Sequence, residues 1–297
     1  MREDPGERER KRMAEMLAVI GGSGLYEMEG MRKVRRVKVR TPFGDPSDAV
    51  VVGDLEGKTL AFLPRHGRGH RIPPHRINFR ANLYALKKLG ARWVLSISAV
   101  GSMKEKIRPG DIVVVDQFYD HTRQRANTFF SDGIVGHIPF ADPVCPNLAE
   151  IAWRAARRHA RRVHRKGTYL CMEGPAFSTR AESRIYRKWG VDVIGMTNMP
   201  EAKLAREAEL CYATLALATD YDCWHESEED VSIEAILELL RKNVETSKRI
   251  IREVARMLPG EGSCGCGEAL RYAVITDRKK IPPATRKALS LLIGRAP

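Results

Sequence analysis

Short apolar runs, each stopping at a glycine, a proline or a polar cluster, recur along the chain between stretches whose apolar positions follow helical spacing. The most uniform is Cys211-Tyr-Ala-Thr-Leu-Ala-Leu-Ala-Thr-Asp220-Tyr-Asp222. It is apolar on both faces, which predicts a central strand covered by helices. Leu17 to Ile20, Trp93 to Gly101, Ile112 to Val115, Thr168 to Met172 and Val191 to Met196 read the same way. Val34 to Val39, Ala49 to Val52 and Thr59 to Leu63 read as antiparallel strands, with turns at Pro42-Phe-Gly44 and Leu55-Glu-Gly57. Helices are predicted from Ile77 to Leu89, ending at Gly90, and from Leu148 to Val163, where Leu148, Ala152, Ala156, Ala160 and Val163 share one face. A third opens at Pro200 and runs through Ala208, and a long amphipathic one covers Ser232 to Met257. Strands alternating with helices give an α/β architecture. Asp116 to Pro146 reads as a long polar segment without regular structure, of the kind that is functional or forms an intersubunit arm.

The polar clusters follow the apolar strands, and in open α/β sheets ligands bind beyond the carboxyl ends of strands. Asp220 and Asp222, two apart on an extended chain, point the same way. Such a pair can address two neighbouring atoms of a flat ligand, one acid donating and the other accepting; a surface turn rich in Asp is the plainer alternative. Gly21-Gly-Ser-Gly24 fits a phosphate cradle with Ser23 as an extra donor, or a simple tight turn. A dinucleotide fingerprint would need glycine at position 27, where Glu27 stands. Arg65 and His66 fit an oxyanion site, since a guanidinium fork matches phosphate geometry, or a basic surface loop. Ser98 and Thr197 add hydroxyls at two further strand ends. His137, beside Ile138 and Phe140, reads as a packed histidine.

A chain of 297 residues can bury a sizeable core. Residues 1–16 are densely charged and read as a disordered tail or a partly translated leader; no apolar leader or bilayer-length run is present, so a cytoplasmic location is expected. The net charge of +14 favours anionic ligands. Its densest patch, Arg154 to Lys166, reads as a solvated helix face, and nucleic-acid motifs with aromatic interleaving are absent. Glutamine occurs only at Gln117 and Gln124 while 30% of residues are charged, which points to a thermophile. The six cysteines are Cys145, Cys171, Cys211, Cys223, Cys264 and Cys266. Cys264-Gly-Cys266 is too close-spaced for the usual zinc hairpin and has no second cysteine pair nearby in sequence; it reads as a local disulfide or dithiol, or as two exposed thiols.

Taken together, Gly21-Gly-Ser-Gly24, Thr41-Pro-Phe-Gly44, Arg65-His-Gly67, Glu173-Gly-Pro-Ala-Phe-Ser178, Met196-Thr197, Pro200-Glu201 and Thr219-Asp-Tyr-Asp-Cys-Trp224 resemble the methylthioadenosine phosphorylase branch of the trimeric purine nucleoside phosphorylases. The resemblance spans about residues 17–257, and the Cys-Gly-Cys tail is similar to that of archaeal hyperthermophilic members. It implies a single-domain mixed β-sheet flanked by helices: a nucleoside phosphorylase catalytic domain over 17–259, then a C-terminal segment over 260–297 with a terminal helix. It implies a homotrimer or pair of trimers and phosphorolysis of 5′-methylthioadenosine, with phosphate as co-substrate and neither cofactor nor metal. Ser23, Arg65, His66, Ser98, Ala99 and Thr197 would hold phosphate, Ala99 through its backbone N–H. Phe177 would pack on the base, Met196 beneath the ribose, and Thr219, Asp220 and Asp222 around the purine. His137 would reach a neighbouring subunit's site, and Val231, Ile233 and Ile236 would form the methylthio pocket.

These roles suit the chemistry. Glycosidic cleavage leaves negative charge on the purine, so a proton from Asp220 at N7 lowers the barrier, and a raised pKa is expected of it. An ionised Asp222 only accepts hydrogen bonds, which suits a 6-amino group and opposes a 6-oxo group by about 1–3 kcal/mol. Branches preferring 6-oxopurines typically carry Asn where Asp220 stands. Ser23 and Ser98 replace the Thr of many relatives, and Asn198-Met199 departs from other branches. A broad purine nucleoside phosphorylase acting on adenosine, inosine or guanosine is the nearest alternative; a hydrolytic nucleosidase would not need the phosphate residues.

Overall fold

The structure is a computed structural model and describes residues 16–22, 24–25, 27–225, 233–259 and 264–294. In chain order they form β1 (Met16–Gly21), β2 (Arg32–Val37), β3 (Val50–Leu55), β4 (Lys58–Pro64), α1 (Phe79–Lys88), β5 (Ala91–Ser102), β6 (Ile112–Val115), β7 (Gln117–His121), α2 (Pro146–His159), β8 (Val163–His164), β9 (Thr168–Met172), α3 (Arg180–Lys188), β10 (Val193–Gly195), α4 (Glu201–Glu207), β11 (Cys211–Asp220), α5 (Ile233–Met257) and α6 (Pro283–Ile293).

The strands make one mixed sheet that branches at β5. One arm runs β2-β3-β4-β1-β5 and continues through β10 and β9 to β7; β11 pairs with the opposite edge of β5 and leads to β6 and β8. β1 pairs in parallel with β4 and β5, and β11 runs parallel to β5. Four strands therefore deliver their carboxyl ends to one side of the sheet.

Side-chain alternation decides the layering. Ala18, Ile20, Val94, Ala216 and Ala218 face a core that includes Leu83 of α1, Leu204 of α4 and Leu289 of α6. Leu17, Val19, Trp93, Leu95 and Leu215 face the other core, with Ala152 of α2 and Ile250 of α5. Both faces of β11 are thus covered, and every residue from Cys211 to Thr219 is buried, as its uniform apolarity required.

The antiparallel strands β2, β3 and β4 are as expected, and β3 turns into β4 at Glu56-Gly57, both left-handed with φ of 52° and 75°. Two expectations are corrected. The second helix stops at His159 rather than Val163: Ala160 is extended, and Val163 pairs with Ile112 as part of β8. The polar segment after Asp116 contains β7, which among the described residues pairs only with β9, at the sheet edge. A strand paired on one side and half exposed carries no apolar run to betray it. Among the described residues no helix is long and apolar enough to cross a membrane.

Candidate active site

The branch point makes an opening in the sheet. On one edge of β5, β1 pairs only as far as Ser96 and β10 begins only at Gly101. Between them Ala99 is the one exposed residue of a strand that is elsewhere buried or half-buried. Ser98 and Gly101 are three residues apart, about 10 Å at the rise of a strand. The polar clusters gather at these two positions.

At the Ser98 end, the Ser98 hydroxyl lies 3.1 Å from Thr197 Oγ1 and 3.1 Å from the Tyr169 hydroxyl. Ser98 and Thr197 are buried. Arg65 follows β4 directly, and its N–H donates to Gly21 O at the end of β1. Its side chain is 2% exposed and grips Glu201 bidentately, Nε to Oε2 at 2.8 Å and Nη2 to Oε1 at 3.1 Å. Nη1 donates to Ile97 O, and Nη2 also meets Ile20 O and Ser96 Oγ. The fork read as a phosphate ligand is thus engaged by a carboxylate, leaving one Nη1 N–H. Ser96 and Tyr212 both donate to Glu201 Oε1, completing a buried polar knot on which the end of β5 rests. His66 donates from Nδ1 to Ile72 O at 2.8 Å and stacks on His70. Burial, helped by the positive charge of Arg65, pushes its pKa down to about 4, so the ring is neutral at pH 7 with Nε2 as an acceptor.

At the Gly101 end lie the two acids. Asp220 closes β11, but Asp222 is not on the strand: it sits in a turn with φ of 52°. The expectation of two acids on one extended chain is corrected accordingly. What brings them together is an Asx turn, in which the Asp222 N–H donates to Asp220 Oδ1 at 2.7 Å. Both lie over Gly101, where an added Cβ would meet Asp220 Oδ1 at 3.0 Å and Asp222 Cβ at 3.3 Å. Thr219 Oγ1 donates to Asp220 Oδ2 at 2.7 Å, and Ser183 of α3 donates to Asp222 Oδ2 at 2.5 Å. Burial pushes the Asp222 carboxyl up against the Ser183 and Cys223 hydrogen bonds, and the charge of Asp220 adds to the rise. Trp224 Nε1 donates to Ser102 O and fixes the chain beyond.

A loop over 173–179 flanks the site. Arg125, from the segment read as irregular, holds it: Nη2 donates to Met172 O and Glu173 O, Nη1 to Met196 O and Met199 O, and Nε pairs with Glu173 at 3.0 Å. Met196 lies under Gly174, its sulfur 2.6 Å from where a Cβ would stand. Phe177 at the loop tip is 83% exposed and stacks on no ring among the described residues. A cleft of about 440 Å³ opens beside the loop, lined by His121, Arg123, Glu173, Gly174, Glu182 and Tyr186. His137 is joined elsewhere, its N–H donating to Ala273 O in the C-terminal segment. Ser23 and Val231 lie outside the described residues, as do the side chains of Ile233 and Ile236.

Sequence reasoning missed Glu201 as a partner of Arg65, and Arg125 as the clamp. Glu201 carries no signal beyond its place beside Pro200, and nothing in Arg123-Gln-Arg125 separates one arginine from the other.

The phosphorylase superfamily profile matches residues 16–256. The chain is 59% identical over 283 residues to the S-methyl-5′-thioadenosine phosphorylase of Geobacter sulfurreducens, covering 95% of this chain and 99% of that one. It is 51% identical over 263 residues to the enzyme of the same name from Hyperthermus butylicus, covering 87% and 95%. Among solved structures it is similar to a methylthioadenosine phosphorylase from an antarctic soil metagenomic library, with a TM-score of 0.90, 48% identity and coverage of 93% and 98%. The Schistosoma mansoni methylthioadenosine phosphorylase in complex with adenine aligns with a TM-score of 0.78 at 40% identity, covering 86% of this chain and 95% of that one.

Proposed function

The chain belongs to the phosphorylase superfamily, and from that premise we propose that it cleaves 5′-methylthioadenosine with inorganic phosphate, releasing adenine and 5-methylthioribose 1-phosphate. It is a pentosyltransferase. The observation that carries the substrate reading is the opening along β5, with hydroxyls at one end and two acids at the other. Its span of about 10 Å suits a phosphate below the anomeric carbon and a purine beyond it.

Phosphate binds at Ser98, Thr197 and the Ala99 N–H, with Ser23 as a further donor. Monohydrogenphosphate gives its own O–H to His66 Nε2, which has no hydrogen to offer in return. Arg65 contributes its remaining N–H and, through Glu201, positions the end of β5. The bound dianion attacks the anomeric carbon and stabilises the positive charge that grows on the ribose. At the other end Asp220 and Asp222 face the purine together. One proton between them supplies N7 through Asp220, while Asp222 accepts from the 6-amino group. Thr219 orients Asp220. Met196 lies beneath the ribose, Phe177 folds onto the base once the nucleoside is seated, and Val231, Ile233 and Ile236 surround the methylthio group. The catalytic unit is residues 17–259, assembled as a trimer or pair of trimers in which His137 reaches the neighbouring site. No cofactor is required by this chemistry.

Base release from methylthioadenosine, adenosine and inosine at saturating phosphate tests the substrate. Methylthioadenosine is expected to be fastest, adenosine slower because an apolar pocket rejects a hydroxyl only weakly, and inosine about 10–100-fold below. Equal rates on inosine would return the broad-specificity reading.

A further inference from the structure

Far from these acids, at the opposite end of β11, four cysteines from three parts of the chain converge. Cys211 opens β11, Cys145 precedes α2, and Cys264 and Cys266 come from the C-terminal segment. Their four sulfurs all lie within 4.8 Å of one another. Cys145, Cys211 and Cys266 are buried and Cys264 is partly so. The second cysteine pair that Cys264-Gly-Cys266 lacks in sequence is supplied by the fold, and none of the six cysteines is in a disulfide.

We propose that Cys145, Cys211, Cys264 and Cys266 form a tetrahedral four-thiolate site for a zinc ion that fastens the C-terminal segment to the sheet. Zinc bonded to sulfur at about 2.3 Å sets its ligands about 3.8 Å apart, so a cluster this tight closes on the metal with small movements. Disulfides would sort the sulfurs into pairs. Here the Cys211 sulfur lies 3.3 Å from that of Cys264 and within 4.8 Å of those of Cys145 and Cys266. Four sulfurs mutually within 4.8 Å are the arrangement of a ligand set. The thiolates are also supported: Cys145 sits at the N-terminus of a 14-residue helix, and Arg206 lends positive charge to Cys266. On binding, four S–H bonds break, four Zn–S bonds form, and the protons leave to solvent. No oxidant enters the balance. The fastened segment carries Ala273, which bonds His137, and α6, where Ala288 O accepts from Tyr84 of α1.

The test uses the full chain, reduced with a phosphine and handled under argon. Cobalt titration of the metal-stripped chain is expected to give the intense absorption of a tetrahedral cobalt–thiolate centre at one equivalent, displaced by zinc. Elemental analysis of the protein as purified should find one zinc per chain, falling at least fivefold in Cys264→Ser and unchanged in Cys223→Ser. Stripping zinc should lower Tm by several degrees. A reduced, folded chain that gives no thiolate–cobalt absorption would overturn the proposal. So would a metal-free purified chain whose mass shows these four cysteines oxidised as two disulfides. Both readouts use the unsubstituted chain, so poor folding of a variant leaves the test intact.

Discussion

Glu201 is the residue whose partner matters most. With Arg65 it forms a buried bidentate pair, supported by Ser96 and Tyr212. Removing one member of such a pair strands a charge, at a cost of about 3–5 kcal/mol, whereas replacing both is much better tolerated. Urea unfolding of Glu201→Ala is therefore expected to show that loss, and the Arg65→Met/Glu201→Leu double variant to recover most of it; additive losses would contradict the coupling. His66 makes a different test. Its pKa falls from 6.5 to about 4 on folding, so between those values the unfolded chain binds the extra proton. The contribution is fully present above pH 6.5 and is lost as pH falls toward 4. His66→Gln should lose less stability than the unsubstituted chain over that window, measured from unfolding midpoints at stepped pH. An identical slope would show that the ring is not held neutral by its surroundings.

Elements whose burial is uniform were legible from their residues. β11 announces itself because both its faces are covered, and the turn at Glu56-Gly57 because tight hairpin turns favour left-handed residues. β7 was not, since an edge strand needs no apolar period. The acids were legible as a pair but not as a turn, because the left-handed Asp222 leaves no mark in composition. Long-range partners stayed hidden for a plainer reason: Arg65 and Glu201 are 136 residues apart, and Arg125 acts through carbonyls that every residue has. Arg125 also carries the prediction at this scale. It ties Met172, Glu173, Met196 and Met199 together, so Arg125→Ala should cost about 2–4 kcal/mol by leaving carbonyls unsatisfied. Amide exchange should quicken within 173–179, and the KM for nucleoside should rise more than that for phosphate. Unchanged exchange in the loop would mean that something else holds it.

Across the whole molecule, a sheet that branches at one long strand creates both the core and the opening in it. β5 is covered on each face, yet its edge between Ser96 and Gly101 is left free for a ligand. The net charge of +14 favours arrival of phosphate and of the anionic product alike. All of this depends on phosphate, not water, being the nucleophile. The measurement that bears on it most directly is adenine release from methylthioadenosine with and without inorganic phosphate, following phosphate and sugar products together. Release should require phosphate and consume one phosphate per adenine, with 5-methylthioribose 1-phosphate formed in equal amount. Undiminished release in phosphate-free buffer, yielding free methylthioribose, would contradict the account.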